Sequence, residues 1–167
     1  MEPFKVTPVK ADSQILEIAN LAEVIWHEHF TKIIGEEQVN YMVEKFQSYA
    51  ALKEQLALGY EYFQLFWNQE LAGYAGIHQE DGKLFLSKLY VKKDFRGNHI
   101  STKALNYLKT LAQSRSLSCI WLTCTRHNDQ SLAVYNHLGF HTVKTQVADI
   151  GNGYVMDDYV MELSLTL

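Results

Sequence analysis

Residues 83–125 constrain this chain more than any other stretch, because the spacing of their apolar side chains changes twice. After the turn Glu80-Asp81-Gly82, the run Lys83-Leu84-Phe85-Leu86-Ser87-Lys88-Leu89-Tyr90-Val91 reads as a strand. Past a polar loop, Ile100, Ala104, Leu105, Leu108, Leu111 and Ala112 fall at helical spacing, and Leu117 to Thr123 is a short apolar run suited to a buried strand. Strand, helix and strand over this length make a parallel crossover.

The segments on either side read as antiparallel partners and covering helices. The aromatic-rich stretch Tyr60 to Trp67, a hairpin turn at Asn68-Gln69 and Leu71 to His78 with Gly73 and Gly76 form a meander with the strand ending at Val91. Upstream, Phe4 to Val9 suits an edge strand that tolerates Pro8. Asp12 and Ser13 are N-cap residue types, followed by helical spacing at Ile15, Leu16, Ile18, Ala19, Ala22, Ile25 and Trp26. Further helices are expected over Glu36 to Phe46 and Tyr49 to Leu58. Downstream, a helix over Ser131 to Leu138 closes at Gly139, and strands follow at about Phe140 to Val147 and Tyr154 to Leu163. With 47% hydrophobic residues, the 167-residue chain has the material for one core, so residues 1–167 are expected to form a single α/β domain. Its sheet is mixed rather than doubly wound.

Charge narrows the partners. A formal net charge of −4 lacks the basic footprint that neutralises a phosphate backbone, so no nucleic-acid partner is expected. No apolar run approaches the roughly 20 residues of a membrane span, and Met1-Glu2-Pro3-Phe4 lacks the pattern of a signal peptide, so no membrane association is expected. Cys119 and Cys124 lie five apart on one predicted strand, point to opposite faces and cannot pair. A reducing, cytoplasmic location is the expectation.

The loop inside the crossover carries the first chemical signal. Lys92-Lys93-Asp94-Phe95-Arg96-Gly97-Asn98-His99-Ile100-Ser101-Thr102 ends a strand and opens a helix, where unpaired backbone N–H groups and the helix dipole favour a pyrophosphate. Arg96, Lys92 and Lys93 add charge, and Ser101 and Thr102 add hydroxyl donors. A solvated basic turn is the competing reading of this stretch alone. The second signal is Thr125 to Phe140, with Asn128 after the buried strand, Tyr135 seven residues later, and Gly139-Phe140 closing the helix.

With these two segments the chain resembles the GNAT superfamily of N-acetyltransferases from its first strand to Tyr159-Val160-Met161-Glu162-Leu163. The family places Arg/Gln-x-x-Gly-x-Gly/Ala in the loop that Arg96 to Ser101 occupies. Here His99 stands for the first glycine and Ser101 for the second small residue. A Cβ obstructs close approach of backbone to phosphate, yet neither residue removes an N–H, so cofactor binding is expected to survive with altered affinity. A narrower similarity, to bacterial PaiA-type enzymes that acetylate polyamines, rests on Glu70-Leu71-Ala72-Gly73-Tyr74, Leu89-Tyr90-Val91 and Ile120-Trp121-Leu122.

The resemblance implies a mainly antiparallel sheet, flanked by helices and splayed between its fourth and fifth strands. Acetyl-CoA would be the cosubstrate, bound by Leu89, Tyr90, Val91, Arg96, Gly97, Asn98, His99, Ile100, Ser101, Thr102, Asn128 and Tyr135. A backbone N–H near Tyr90 or Val91 would stabilise the oxyanion. Tyr135 would act as general acid toward the leaving thiolate, its phenol having an ordinary pKa of about 10. The acceptor would be a small-molecule primary amine, and homodimers are common among relatives. An alkylamine with a pKa of about 10.4 must first lose a proton. The base stays open among Glu28, His27, His29 and His78 acting through water, because Ser87 and Lys88 are not natural proton acceptors. No metal is expected, since His27 and His29 do not share a helix face.

Asp157-Asp158, read in the hairpin before the last strand, either holds a cationic amine or is a charged turn. Glu36-Glu37 reads as a helix first turn favoured by the dipole. Two other classes compete: an acyl-CoA-binding or regulatory module without turnover, motivated by His99 and Ser101, and a nucleotide-binding domain. The loop lacks the Lys-Ser/Thr ending and the three glycines that the latter requires.

Overall fold

Seven strands hydrogen-bond in the order β1-β2-β3-β4-β5-β7-β6 in the computed structural model, which describes residues 2–165. The strands are β1 Phe4–Pro8, β2 Glu61–Trp67, β3 Glu70–Glu80, β4 Lys83–Val91, β5 Cys119–Thr125, β6 His141–Gly151 and β7 Tyr154–Ser164. The helices are α1 Asp12–Ile34, α2 Glu36–Met42, α3 Tyr49–Ala57, α4 Ile100–Ser114 and α5 Asp129–His137. The expected α/β class and the parallel crossover are both present, since β4 pairs with β5 in parallel and the pairs β1–β2, β2–β3, β5–β7 and β6–β7 are antiparallel. Two compact units divide the chain: one runs to His78 and adds Lys88–Tyr107, and the other joins Gln79–Ser87 to the chain from Leu108 onward.

In the first unit, β1 is the edge strand that its proline suits, with Pro8 opposite Phe63. Helix α1 buries Ile15, Ile18, Leu21, Ala22, Ile25, Trp26 and Phe30, and continues to Ile34, beyond the last residue of the apolar pattern at Trp26. It stops at Gly35, whose φ of 85° suits glycine. The expected caps Asp12 and Ser13 lie inside the helix. Ala11 is the N-cap instead, and the Gln14 side chain accepts from the Ala11 backbone N–H at 2.9 Å. The helix expected over Glu36 to Phe46 is α-helical only to Met42 and widens into a π turn over Val43–Gln47. Ser48 then caps α3, its hydroxyl accepting from the Ala51 N–H at 3.2 Å.

Gly73 shows why a glycine interrupts the apolar run of β3. A Cβ there would collide with the Tyr90 carbonyl oxygen and stand 3.2 Å from the Val91 Cα, so only glycine lets the two backbones pass. Gly73→Ala is therefore expected to cost about 1–3 kcal/mol, read as a lower denaturant midpoint.

In the second unit the parallel pairing is short, Leu84 opposite Ile120 and Phe85 opposite Trp121, with the two aromatic rings stacked at 4.2 Å. Strand β7 lies between β5 and β6 and pairs with both over most of its length. Helix α5 buries Leu132, and Gly139, at φ 100°, turns the chain toward buried Phe140. One placement read from the sequence is corrected here: Asp157 and Asp158 belong to β7 itself, opposite Val147 and Gln146 of β6, and not to a hairpin turn. The β6–β7 turn is Gly151-Asn152-Gly153, where three positive φ angles make the reversal. Both cysteines are free and buried. Among the described residues no helix is long and apolar enough to cross a membrane.

Candidate active site

The loop after β4 is held by apolar anchors and side-chain tethers while its charged tip faces solvent. A 3-10 turn over Lys93–Phe95 begins it, and Phe95 packs with Leu89 and Val91 against the cluster of Leu65, Ala72, Ile100 and Ala104. Glu28 of α1 accepts the Lys93 backbone N–H at 2.8 Å, and the Asn98 side chain donates to the Phe95 carbonyl at 2.9 Å. Arg96, Gly97 and His99 are exposed, and Ser101 and Thr102 are half-buried. Gly97 has φ 90° with open space where a Cβ would stand. The first turn of α4 follows directly, so its leading N–H groups have no intrahelical acceptor. This donor set fits a diphosphate.

His99 explains its own departure from the family pattern. Its φ is 57°, in the left-handed region, which glycine enters without strain and which histidine tolerates better than most residues. Its carbonyl accepts the Lys103 N–H at 2.9 Å, so it stands as the N-cap of α4. His99 thus takes a left-handed backbone conformation without a glycine.

Strand β4 sends alternate side chains to opposite faces. Leu89 and Val91 enter the cluster beneath α4. Tyr90 meets Trp26, Phe30 and Tyr74, at ring separations of 5.5, 6.1 and 5.4 Å. The backbone of Leu89–Val91 is thus gripped from both sides in the first unit.

The proton acceptors suggested by the sequence are largely committed elsewhere. Glu28 holds the loop, as above. His27 engages the Glu23 carbonyl at 2.8 Å and the Asn40 side-chain oxygen at 2.6 Å, contacts that raise its pKa. His29 lies edge-on to Phe30, and His78 stacks on Tyr60 at 4.5 Å.

Lys88, which residue type alone sets aside, is the more unusual group. It is 5% exposed, and its ammonium donates to Gln55 Oε1 at 2.8 Å and to the Tyr62 hydroxyl at 2.7 Å, while that hydroxyl in turn bonds Gln55. An amide and a phenol bring no negative charge, so burial pushes Lys88 down to about 7 and drives the Tyr62 phenol well above its ordinary value. The alternation of Leu84, Leu86 and Lys88 on β4 was the signal that this lysine points inward.

In the second unit, Asn128 is 5% exposed and caps α5: its side chain accepts the Ser131 N–H at 3.4 Å and its carbonyl accepts the Leu132 N–H at 3.0 Å. That cap sets where α5 begins and therefore where Tyr135, two turns on, projects. The Tyr135 ring is half-buried and lies edge-on to Phe140 at 5.5 Å. Burial pushes its phenol well above 10, with a contribution from Cys124, and burial with Asp158 pushes the Cys124 thiol up to about 12. Both groups keep their protons at neutral pH.

The chain belongs to the acetyltransferase (GNAT) family, whose model matches residues 20–140. It is accordingly an N-acetyltransferase that draws its acetyl group from acetyl-CoA. Solved structures agree with the fold. PaiA N-acetyltransferase from Thermoplasma acidophilum, in complex with coenzyme A, is similar at a TM-score of 0.77 and 18% identity, over 96% of this chain and 99% of that one. A GCN5-related N-acetyltransferase from Rhodopseudomonas palustris is similar at 0.79 and 16% identity, over 98% and 96%. A spermidine N-acetyltransferase SpeG chimera from Vibrio cholerae and hSSAT is similar at 0.73 and 14% identity, over 98% and 96%.

Proposed function

We propose that residues 1–167 act as one cytoplasmic acetyltransferase domain that moves the acetyl group of acetyl-CoA directly to a small primary amine, with polyamines favoured. The observation that carries the cofactor part is the exposed, positively charged turn at the start of α4. Arg96 and the backbone of Gly97 to Thr102 hold the diphosphate, and the Leu89–Val91 backbone holds the pantetheine arm. Bound acetyl-CoA supplies a thioester carbon open to attack by an amine. Tyr135 gives its hydroxyl proton to the leaving sulfur, which matches a phenol that stays protonated at neutral pH. Asn128 sets the start of α5 and so positions that hydroxyl.

The acceptor class is supported by the family's chemistry and by the spermidine N-acetyltransferase among the similar structures. Free thiol release from acetyl-CoA in the presence of spermidine, lysine peptides and aminoglycosides tests it. Release with spermidine above the others is the expected result, and silence across the panel with acetyl-CoA still bound would favour the module without turnover. Arg96→Ala is expected to weaken acetyl-CoA binding by about tenfold at low ionic strength, and by less in 1 M salt, as isothermal titration would read.

A further inference from the structure

We propose that Asp158 is the acceptor-amine site, its buried carboxylate receiving the substrate's ammonium group and taking up one of its protons. This rests on the acetyltransferase reading above and supplies the proton acceptor that reading lacks. Asp158 lies in β7 with Thr125 of β5 on one side and Gln146 of β6 on the other. It is 7% exposed, and its Oδ1 has no hydrogen-bond partner among the described residues. A charged turn would be solvated, and this Oδ1 is out of contact with water.

The neighbouring charges leave it uncompensated. Asp157 is neutralised by Arg126, Nε to Oδ1 at 3.1 Å, and the same guanidinium lies 5.2 Å over the Tyr159 ring. From β5 comes the Cys124 thiol, which stays neutral, and β6 offers the Gln146 position. Burial first, and Asp157 second, raise the Asp158 carboxyl to about 6. An ionised carboxylate in this setting is costly unless a cation joins it, and groups so placed cluster at functional sites. A primary ammonium, compact and with three donors, fits a buried carboxylate oxygen that lacks a partner.

The proton bookkeeping closes with Tyr135, which lies in the same unit. One ammonium proton passes to Asp158 Oδ1, and the nitrogen recovers its lone pair. In a poorly solvated place this exchange removes two charges at once, which favours it. The nitrogen then bonds to the acetyl carbonyl carbon as the C–S bond breaks and the sulfur takes the Tyr135 proton. The second nitrogen proton, lost as the amide forms, restores Tyr135, and Asp158 releases its own to water.

The test uses the full chain labelled with carboxyl-13C aspartate, saturated with coenzyme A and titrated with spermidine, with the Asp158 resonance assigned by its absence from D158N. The expected result is a saturable shift of that resonance. In thiol-release assays over pH 5–9, D158N is expected to lose about 100-fold in kcat/KM and the acidic limb near pH 6. It should hold acetyl-CoA within about twofold of wild type and melt no lower, because a neutral amide relieves a buried charge. An unmoved resonance at saturating spermidine, or a D158N enzyme with wild-type rate and pH profile, overturns the proposal. So does a rate loss matched by a lower melting temperature and weaker acetyl-CoA binding, which marks a structural role. A shifted resonance without thiol release would support the site while rejecting the acceptor reading above.

Discussion

Tyr135→Phe is expected to lower turnover by about 10² or more while leaving acetyl-CoA affinity unchanged. The substitution removes one oxygen and keeps the ring that lies against Phe140 at 5.5 Å, so α5 and its Asn128 cap should stand as before. Only the proposed proton donor is lost. A thiolate expelled without one must leave as an anion, and that penalty falls on the transition state rather than on binding. Because burial holds the phenol well above its ordinary value, the wild-type rate should show no loss of the acid form up to pH 9. Single-turnover thiol release, with calorimetry for acetyl-CoA, checks both halves, and an unchanged rate would remove Tyr135 from the chemistry.

Lys88→Met should stabilise the protein by about 1–3 kcal/mol at pH 7, because it removes a buried charge and preserves length and volume. The sign follows from proton binding. The unfolded chain protonates Lys88 below its ordinary pKa of about 10.4, whereas the folded chain does so only below about 7. Between those values the unfolded state holds the extra proton, so wild-type stability rises with pH across that window. Below pH 7 the full cost applies, on the order of 4 kcal/mol before the two hydrogen bonds offset part of it. The variant should lose this slope while Tyr62 and Gln55 keep their mutual bond. Urea unfolding from pH 6 to pH 10 reads both effects. A variant less stable at pH 7 with an unchanged slope would mean that the bonds to Tyr62 and Gln55 outweigh the burial of the charge.

Much of the candidate cofactor region was readable from local pattern. The positions of β4, α4, β5 and α5 follow from apolar spacing and from Gly139, and the loop between β4 and α4 stands where the basic run placed it. Some local signals misled for equally physical reasons. Asp12 and Ser13 are good cap residues, yet the Gln14 side chain reaches back to Ala11 and starts the helix one residue earlier. A pair of aspartates reads as a turn because two adjacent charges usually seek water. Pairing on both sides of β7 takes Asp158 out of water all the same.

The amino-acid order alone determined the elements, the parallel crossover and the candidate phosphate turn, since each depends on backbone geometry and apolar period within a few residues. Only the folded chain decided which polar groups are ordinary. Lys88 lost its charge preference to burial, beside Gln55 and Tyr62 that lie 33 and 26 residues away in sequence, and Glu28 became a loop tether through Lys93, 65 residues off. Proton affinity depends on local solvation and on the charges within a few ångströms. Those surroundings are assembled by the sheet and helices from distant segments, so the spacing on β4 can say that Lys88 points inward but not which groups meet it there.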